Sequence, residues 1–203
     1  SLGFENHMQA VVYDRNGANY CGRMWWMMKW LGHDAVAVLD GGLQAWEASG
    51  GAVEKGAPAA LKPIASKFEL KSALREWVST EQLAPQVGHP NLTLIDARAG
   101  ARYRGEMEPL DPVAGHIPGA LNRPFAENLG ADGFFKSPEV LRAEFEKLLA
   151  GRDPATVVHH CGSGVSTVPN ILAMEIAGLG ITRLYPGSWS EWCNTPGLPC
   201  AKG

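Results

Sequence analysis

The stretch "VVHHCGSGVSTVPNILAMEIAGL", residues 157–179, decides the fold. Thr156 to His160 is short and begins β-branched and apolar, the signature of a buried parallel strand. From Val168 the apolar positions Val168, Ile171, Leu172, Ile176 and Leu179 follow helical spacing, and Pro169 fits a first turn, where its missing N–H costs nothing. Gly178 and Gly180 stop the helix, and Ile181 to Tyr185 begins the next strand. The spacing predicts strand, tight loop, helix and strand, which is the building unit of an α/β fold with a parallel sheet.

Cys161 opens that loop, which runs Cys161-Gly162-Ser163-Gly164-Val165-Ser166. Gly162 and Gly164 permit positive φ, so successive backbone N–H groups can converge on one concavity. The helix N-terminus adds roughly half a positive charge there. Such surroundings lower a cysteine pKa from ~8.5 toward ~3.5–7.5, so the loop is expected to be an anion cradle holding a nucleophile. A buried structural cysteine beside a glycine turn is the bland alternative; the glycine pair, the helix start and Ser166 argue against it. A cysteine phosphatase would close a longer loop with an arginine at the sixth position after the cysteine. Thr167 stands there, and no basic residue occurs between Cys161 and Arg183. A cradle with no cation in its own loop suits a smaller group, such as one extra sulfur on the cysteine.

Composition sets the outer bounds. In 203 residues, 45% hydrophobic and 19% charged content describes a folded protein, and a net charge of −3 without blocks of like charge gives no electrostatic footprint for nucleic acid or an anionic membrane. No apolar run approaches the ~18 residues of a membrane span, and with no charged-then-apolar leader in this sequence, targeting information is expected to be absent or removed. Cys21, Cys161, Cys193 and Cys200 form no C-x-x-C pair, which argues against zinc and a disulfide framework and for free thiols in a reducing compartment, the cytoplasm. Nothing calls for a cofactor or a metal.

The N-terminal part replays the pattern at an offset near 145–147 residues. Strand Val11-Val12-Tyr13 leads to Asp14 where the later copy has Cys161, and Gly17 matches Gly164. A helix with Trp25, Trp26, Met27 and Trp30 follows, expected to be core, then strand Val36 to Leu39, Gly41-Gly42 and Trp46. Asp14 carries no transferable sulfur, so this copy is at most a scaffold or a pocket wall. Only 13 residues precede Asp14, so the first domain is expected to be incomplete. The expected division is residues 1–52 as a partial, inactive first domain, 53–67 as a Gly/Ala/Pro/Lys-rich linker and 68–203 as the catalytic domain. Within the last, Leu70 to Leu83 looks helical with Ser79-Thr80-Glu81 capping a short second helix, Leu92 to Asp96 is a buried strand, and Ser137-Pro138-Glu139 opens a long helix.

The motifs "LIDAR", "YRG", "GHIPGALN", "CGSGVS" and "LYPGSWSEW", with "VVYD", "WWMMKWLGH" and "VLDGGLQAW" before them, resemble the two-domain rhodanese-like sulfurtransferases over nearly the whole chain. The resemblance implies rhodanese-like domains, each with a central parallel sheet flanked by helices, and a catalytic second domain. It implies that Cys161 carries a persulfide, that the backbone of Gly162, Gly164, Val165 and Ser166 cradles it, and that Ser163 relays a proton. The loop composition is similar to the 3-mercaptopyruvate type, with Ser166 for threonine. Thiosulfate-preferring members carry cations in the loop, so a thiosulfate sulfurtransferase is the alternative donor reading and a non-catalytic interaction module the alternative class. Arg104 in "YRG" matches one of two arginines holding the mercaptopyruvate carboxylate; at the second position this chain has Leu110, with Arg102 and Arg123 as substitutes. His116 and the Asp96–Arg98 pair are expected to be structural, and at most one of His159 and His160 faces the site. The family's Asp–His pair that assists the serine would lie in a segment this chain lacks. The implied partners are a small sulfur donor and a thiol or thioredoxin-type acceptor, or cyanide.

Overall fold

The computed structural model describes residues 3–57 and 64–203. Two parallel sheets organise them. In the first unit β1 (Ala10–Val12) pairs in parallel with β2 (Val36–Val38), joined through helix α1 (Cys21–Trp30); α2 (Gly42–Ala48) follows. In the second, α3 (Thr80–Leu83), β3 (Thr93–Asp96), α4 (Gly100–Tyr103), β4 (Leu121–Asn122), α5 (Pro138–Leu149), β5 (Val157–His160), α6 (Val168–Ile176), β6 (Arg183–Leu184) and α7 (Ser188–Asn194) build a parallel sheet of order β4-β3-β5-β6.

Alternation along the buried strands supplies both faces of that sheet. Leu94 and Val158 point into a core with Leu83, Ile117, Tyr185, Trp189 and Trp192. Their neighbours Ile95 and Val157 point the other way, onto Leu141, Phe145 and Leu149 of α5 and Ala173 and Met174 of α6. Ser137 caps α5 by accepting from the Val140 N–H, as its sequence position predicts. A third core joins the units: Trp25, Trp26 and Met28 of α1 and Val36 pack on Val168, Ile171 and Leu184. Of the helix expected to be core, Trp25 and Trp26 are buried, whereas Met27 and Trp30 lie on its exposed face. Gly22 lets α1 approach α6, since a Cβ there would lie 3.2 Å from Val168 Cγ1.

Two expectations for elements are corrected. Leu70 to Leu83 is not one helix: only Thr80–Leu83 is helical, opened by a capping box between Ser79 and Gln82. The preceding backbone is extended because β6 offers it an edge. Val78 N–H donates to Leu184 O and Leu184 N–H to Glu76 O, and these bonds compete successfully with a helical turn. The strand expected over 181–185 shortens to Arg183–Leu184. Of the linker expectation, residues 58–63 lie outside the described residues; the described remainder of 53–67 holds no helix. No helix of the described residues is long and apolar enough to cross a membrane.

Candidate functional site

Cys161 follows directly on β5 and sits at the base of a cavity of about 410 Å³, with only 2% of its surface exposed. The loop hangs from α7 by its carbonyls: Trp189 N–H donates to Cys161 O and Ser190 N–H to Gly162 O, both at 2.9 Å. Cys161 N–H donates to Ser188 Oγ, which itself donates to Tyr185 O. With its carbonyls spent outward, the loop keeps its amides: the N–H groups of residues 162–167 donate to no partner among the described residues. They form an unfilled row of donors at the start of α6, the arrangement that binds anions.

The first unit shows the same cradle filled. Asp14 accepts from the N–H groups of Asn16, Ala18, Tyr20 and Cys21 at 2.8–3.1 Å. Burial pushes its carboxyl pKa up, but these four bonds outweigh burial and hold it below the usual carboxylate range. Where Cys161 leaves amides open, Asp14 closes them with its own charge.

The glycines of the loop differ in duty. Gly164 has φ +72°, and a Cβ there would stand 2.4 Å from Pro186 O. Gly162 lacks positive φ, contrary to the expectation that both glycines use it; it lies beside Arg102, whose Nη1 would be 3.5 Å from an added Cβ. Ser163, Val165 and Ser166 line the cavity with Gly162 and Cys161, while Gly164 is buried behind them.

Cations do reach the loop, from elsewhere in the chain. Arg23 of α1 donates from Nη1 to Gly164 O at 2.8 Å and interacts electrostatically with Cys161. Arg98 and Arg102 line the cavity. Both are already engaged: Arg98 grips Asp96 at 2.6 Å and reaches Glu108 at 3.3 Å, and Arg102 pairs with Glu108 at 2.5 Å and Asp111 at 3.5 Å. Burial raises the Glu108 pKa, yet Arg102 and the amides of Leu110 and Asp111 bring it below the ordinary value. Arg98 and Arg102 thus face the three carboxylates Asp96, Glu108 and Asp111, while Arg23 has no carboxylate partner among the described residues; the formal charges of these six side chains sum to zero.

Comparison with known proteins places this geometry. The profile of the rhodanese-like domain matches residues 2–49 and 79–195. The chain belongs to the rhodanese-like family. A probable 3-mercaptopyruvate sulfurtransferase of Pseudomonas aeruginosa is 45% identical over 202 residues, covering 99% of this chain and 70% of that protein. The thiosulfate sulfurtransferase of Bos taurus is 37% identical over 198 residues, covering 95% of this chain and 65% of that protein. Among solved structures, the 3-mercaptopyruvate sulfurtransferase from Leishmania major superposes with TM-score 0.81 at 32% identity, over 97% of this chain and 55% of its own. This rhodanese-like chain therefore spans between 55% and 70% of these relatives' lengths.

Against that family frame, the expectation for Arg104 needs correction. Its side chain is about half exposed, pairs with Glu106 at 2.6 Å and does not line the cavity. The single turn of α4 directs Arg102 inward and leaves Arg104 outside. Arg123 is taken by Asn128 and Glu144 and lies away from the cavity. His116 stacks on Tyr103 and does not line the cavity. His159 and His160 are both wholly buried; burial pushes His159 down to about 3 and lowers His160 as well. Neither lines the cavity. Sequence reasoning missed Asp111, Phe125 and Ser190 of the second unit, and Asn19, Tyr20 and the nearby Arg23 of the first unit, where Asp14 hinted at a pocket wall.

Proposed function

We propose that this chain moves a sulfane sulfur from 3-mercaptopyruvate to a thiol through a persulfide on Cys161. Cys161 thiolate attacks the donor sulfur, the donor's carbon–sulfur bond breaks, and its electron pair leaves as the pyruvate enolate. Ser163 hands the donor's thiol proton toward that enolate. The outer sulfur of the persulfide rests in the amides of residues 162–167. An acceptor thiolate, small or on a thioredoxin-like protein, then takes the outer sulfur and frees Cys161 as thiolate.

The observation that carries the reading is the open amide row around a buried cysteine that lines a cavity, the arrangement that Asp14 fills in the first unit. The charge balance of the cavity favours the donor. A monoanionic carboxylate can share Arg102 with Glu108, whereas the thiosulfate dianion finds no net positive charge to offset its desolvation. Arg102 takes the carboxylate-holding role first assigned to Arg104. We read residues 1–52 as an inactive repeat of the catalytic unit 68–203, with 53–67 between them. All four cysteines are free, and a thiol acceptor requires reducing surroundings such as the cytoplasm.

The test is a donor panel with mass detection on intact protein. One added sulfur on Cys161, absent in Cys161→Ser, and a higher kcat/KM for 3-mercaptopyruvate than for thiosulfate are expected, and Ser163→Lys should shift preference toward thiosulfate. No sulfur on Cys161 from either donor would leave the non-catalytic module as the reading. A wild-type preference for thiosulfate would reverse the donor assignment.

A further inference from the structure

Among the described residues the buried side-chain amides of Asn128 and Asn170 and the half-buried one of Asn122 are paired, and Asn19 at the cavity is not. Asn122 donates to Asp96 O and Arg98 O, Asn128 to Phe125 O and Asn170 Oδ1, and Asn170 to Arg123 O. Asn19 is 8% exposed and its Oδ1 is enclosed without a partner. No described group takes its Nδ2 either, and the residue lines the cavity that holds Cys161, Arg102 and Ser163. The enclosed Oδ1 keeps its desolvation cost with or without a ligand, so what Asn19 offers the cavity is its unpartnered donor. With Oδ1 enclosed, the end of the amide left for the cavity is Nδ2, a neutral donor.

We infer that Asn19 is a substrate-binding residue whose Nδ2 donates to the carboxylate of the sulfur donor. The inference deepens the mercaptopyruvate reading and rests on it. Arg98 and Arg102 are already neutralised by Asp96, Glu108 and Asp111, so a carboxylate entering beside Arg102 gains little net Coulomb attraction. A neutral donor supplies the missing hydrogen bond without placing another charge in the cavity. The first unit thereby reads the donor's head group, while the second unit holds the reacting sulfur.

The experiment compares wild type with Asn19→Leu and Asn19→Ser, using 3-mercaptopyruvate as substrate and pyruvate, the product that keeps the carboxylate, as a reversible inhibitor. Asn19→Leu should raise KM for mercaptopyruvate and Ki for pyruvate together, by about tenfold (~1.4 kcal/mol). The loss should fall on KM rather than on kcat, and Tm should not drop, since an unpaired amide has been replaced by an apolar side chain. Asn19→Ser should raise both constants less, because its shorter hydroxyl can reach through a water. Unchanged KM and Ki in Asn19→Leu, or a fall in kcat and Tm at constant KM, would overturn the role of Asn19 while leaving the proposed function standing. A wild type that neither turns over mercaptopyruvate nor is inhibited by pyruvate would overturn the donor reading, and the inference with it.

Discussion

Asp14 follows β1 and Cys161 follows β5, each in a loop that leads from a parallel strand into a helix, and the two side chains use the loop amides differently. The Asp14 carboxylate satisfies four N–H groups that would otherwise be orphaned at the start of α1. Asp14→Ala should therefore destabilise the fold by about 2 kcal/mol, and Asp14→Asn by less, because one acceptor oxygen remains. The pH dependence follows from the sign of the shift. A carboxyl whose folded pKa is lowered contributes stability that is present above the unfolded value, near ~4, and lost as pH falls through the folded one. Denaturant midpoints of wild type and Asp14→Asn should differ at neutral pH and converge in acid; a gap independent of pH would show that the charge is not what the cradle holds. The other thiols make a second residue-scale contrast. Cys21 is pushed up to about 12, by burial first and then by Asp14, and burial raises Cys193 and Cys200. A small alkylating reagent at neutral pH should label Cys161 ahead of all three, as read by peptide mass mapping; equal labelling would contradict an activated Cys161.

At the scale of elements, the loop between β5 and α6 depends on one glycine more than the other. Gly164→Ala meets both a left-handed backbone and Pro186 O, so it should cost about 2 kcal/mol or more and abolish sulfur uptake. Gly162→Ala meets only the end of Arg102, a flexible side chain, and should leave Tm nearly unchanged while raising KM. Equal thermal shifts for the two variants would mean that the loop conformation is not set at Gly164. This part of the fold was legible in the sequence because its signals are local: a β-branched run, two glycines, and helical spacing from Val168. Where partners are distant, reading fails. Leu70 to Leu83 carries a helical pattern, yet the unpaired edge of β6 draws its backbone into extended form. Arg102 and Arg104 are indistinguishable by type; only the direction of α4 and the placing of Glu106, Glu108 and Asp111 decides which faces the donor.

At the scale of the whole molecule, the first unit does more than shelter the second. Trp25 and Trp26 bury themselves against α6, and that packing carries Arg23 to Gly164 O across 141 residues of sequence. This contact holds the carbonyl side of the loop, leaving the amide side open, and brings a cation close to Cys161. Burial lowers the Arg23 pKa and the charge of Cys161 raises it, but a guanidinium remains protonated at any pH of interest, so the field it imposes is constant. Arg23→Gln preserves a donor of shorter reach and removes the charge; Arg23→Leu removes both. If the hydrogen bond alone matters, Arg23→Gln should retain most activity and Arg23→Leu should lose it. If the charge matters, both variants should form the Cys161 persulfide about tenfold more slowly in single-turnover experiments, with Arg23→Leu also speeding hydrogen exchange at residues 162–167. The electrostatic interaction of Arg23 with Cys161 predicts the second pattern. Persulfide formation at the wild-type rate in Arg23→Gln would reduce Arg23 to a brace for the loop.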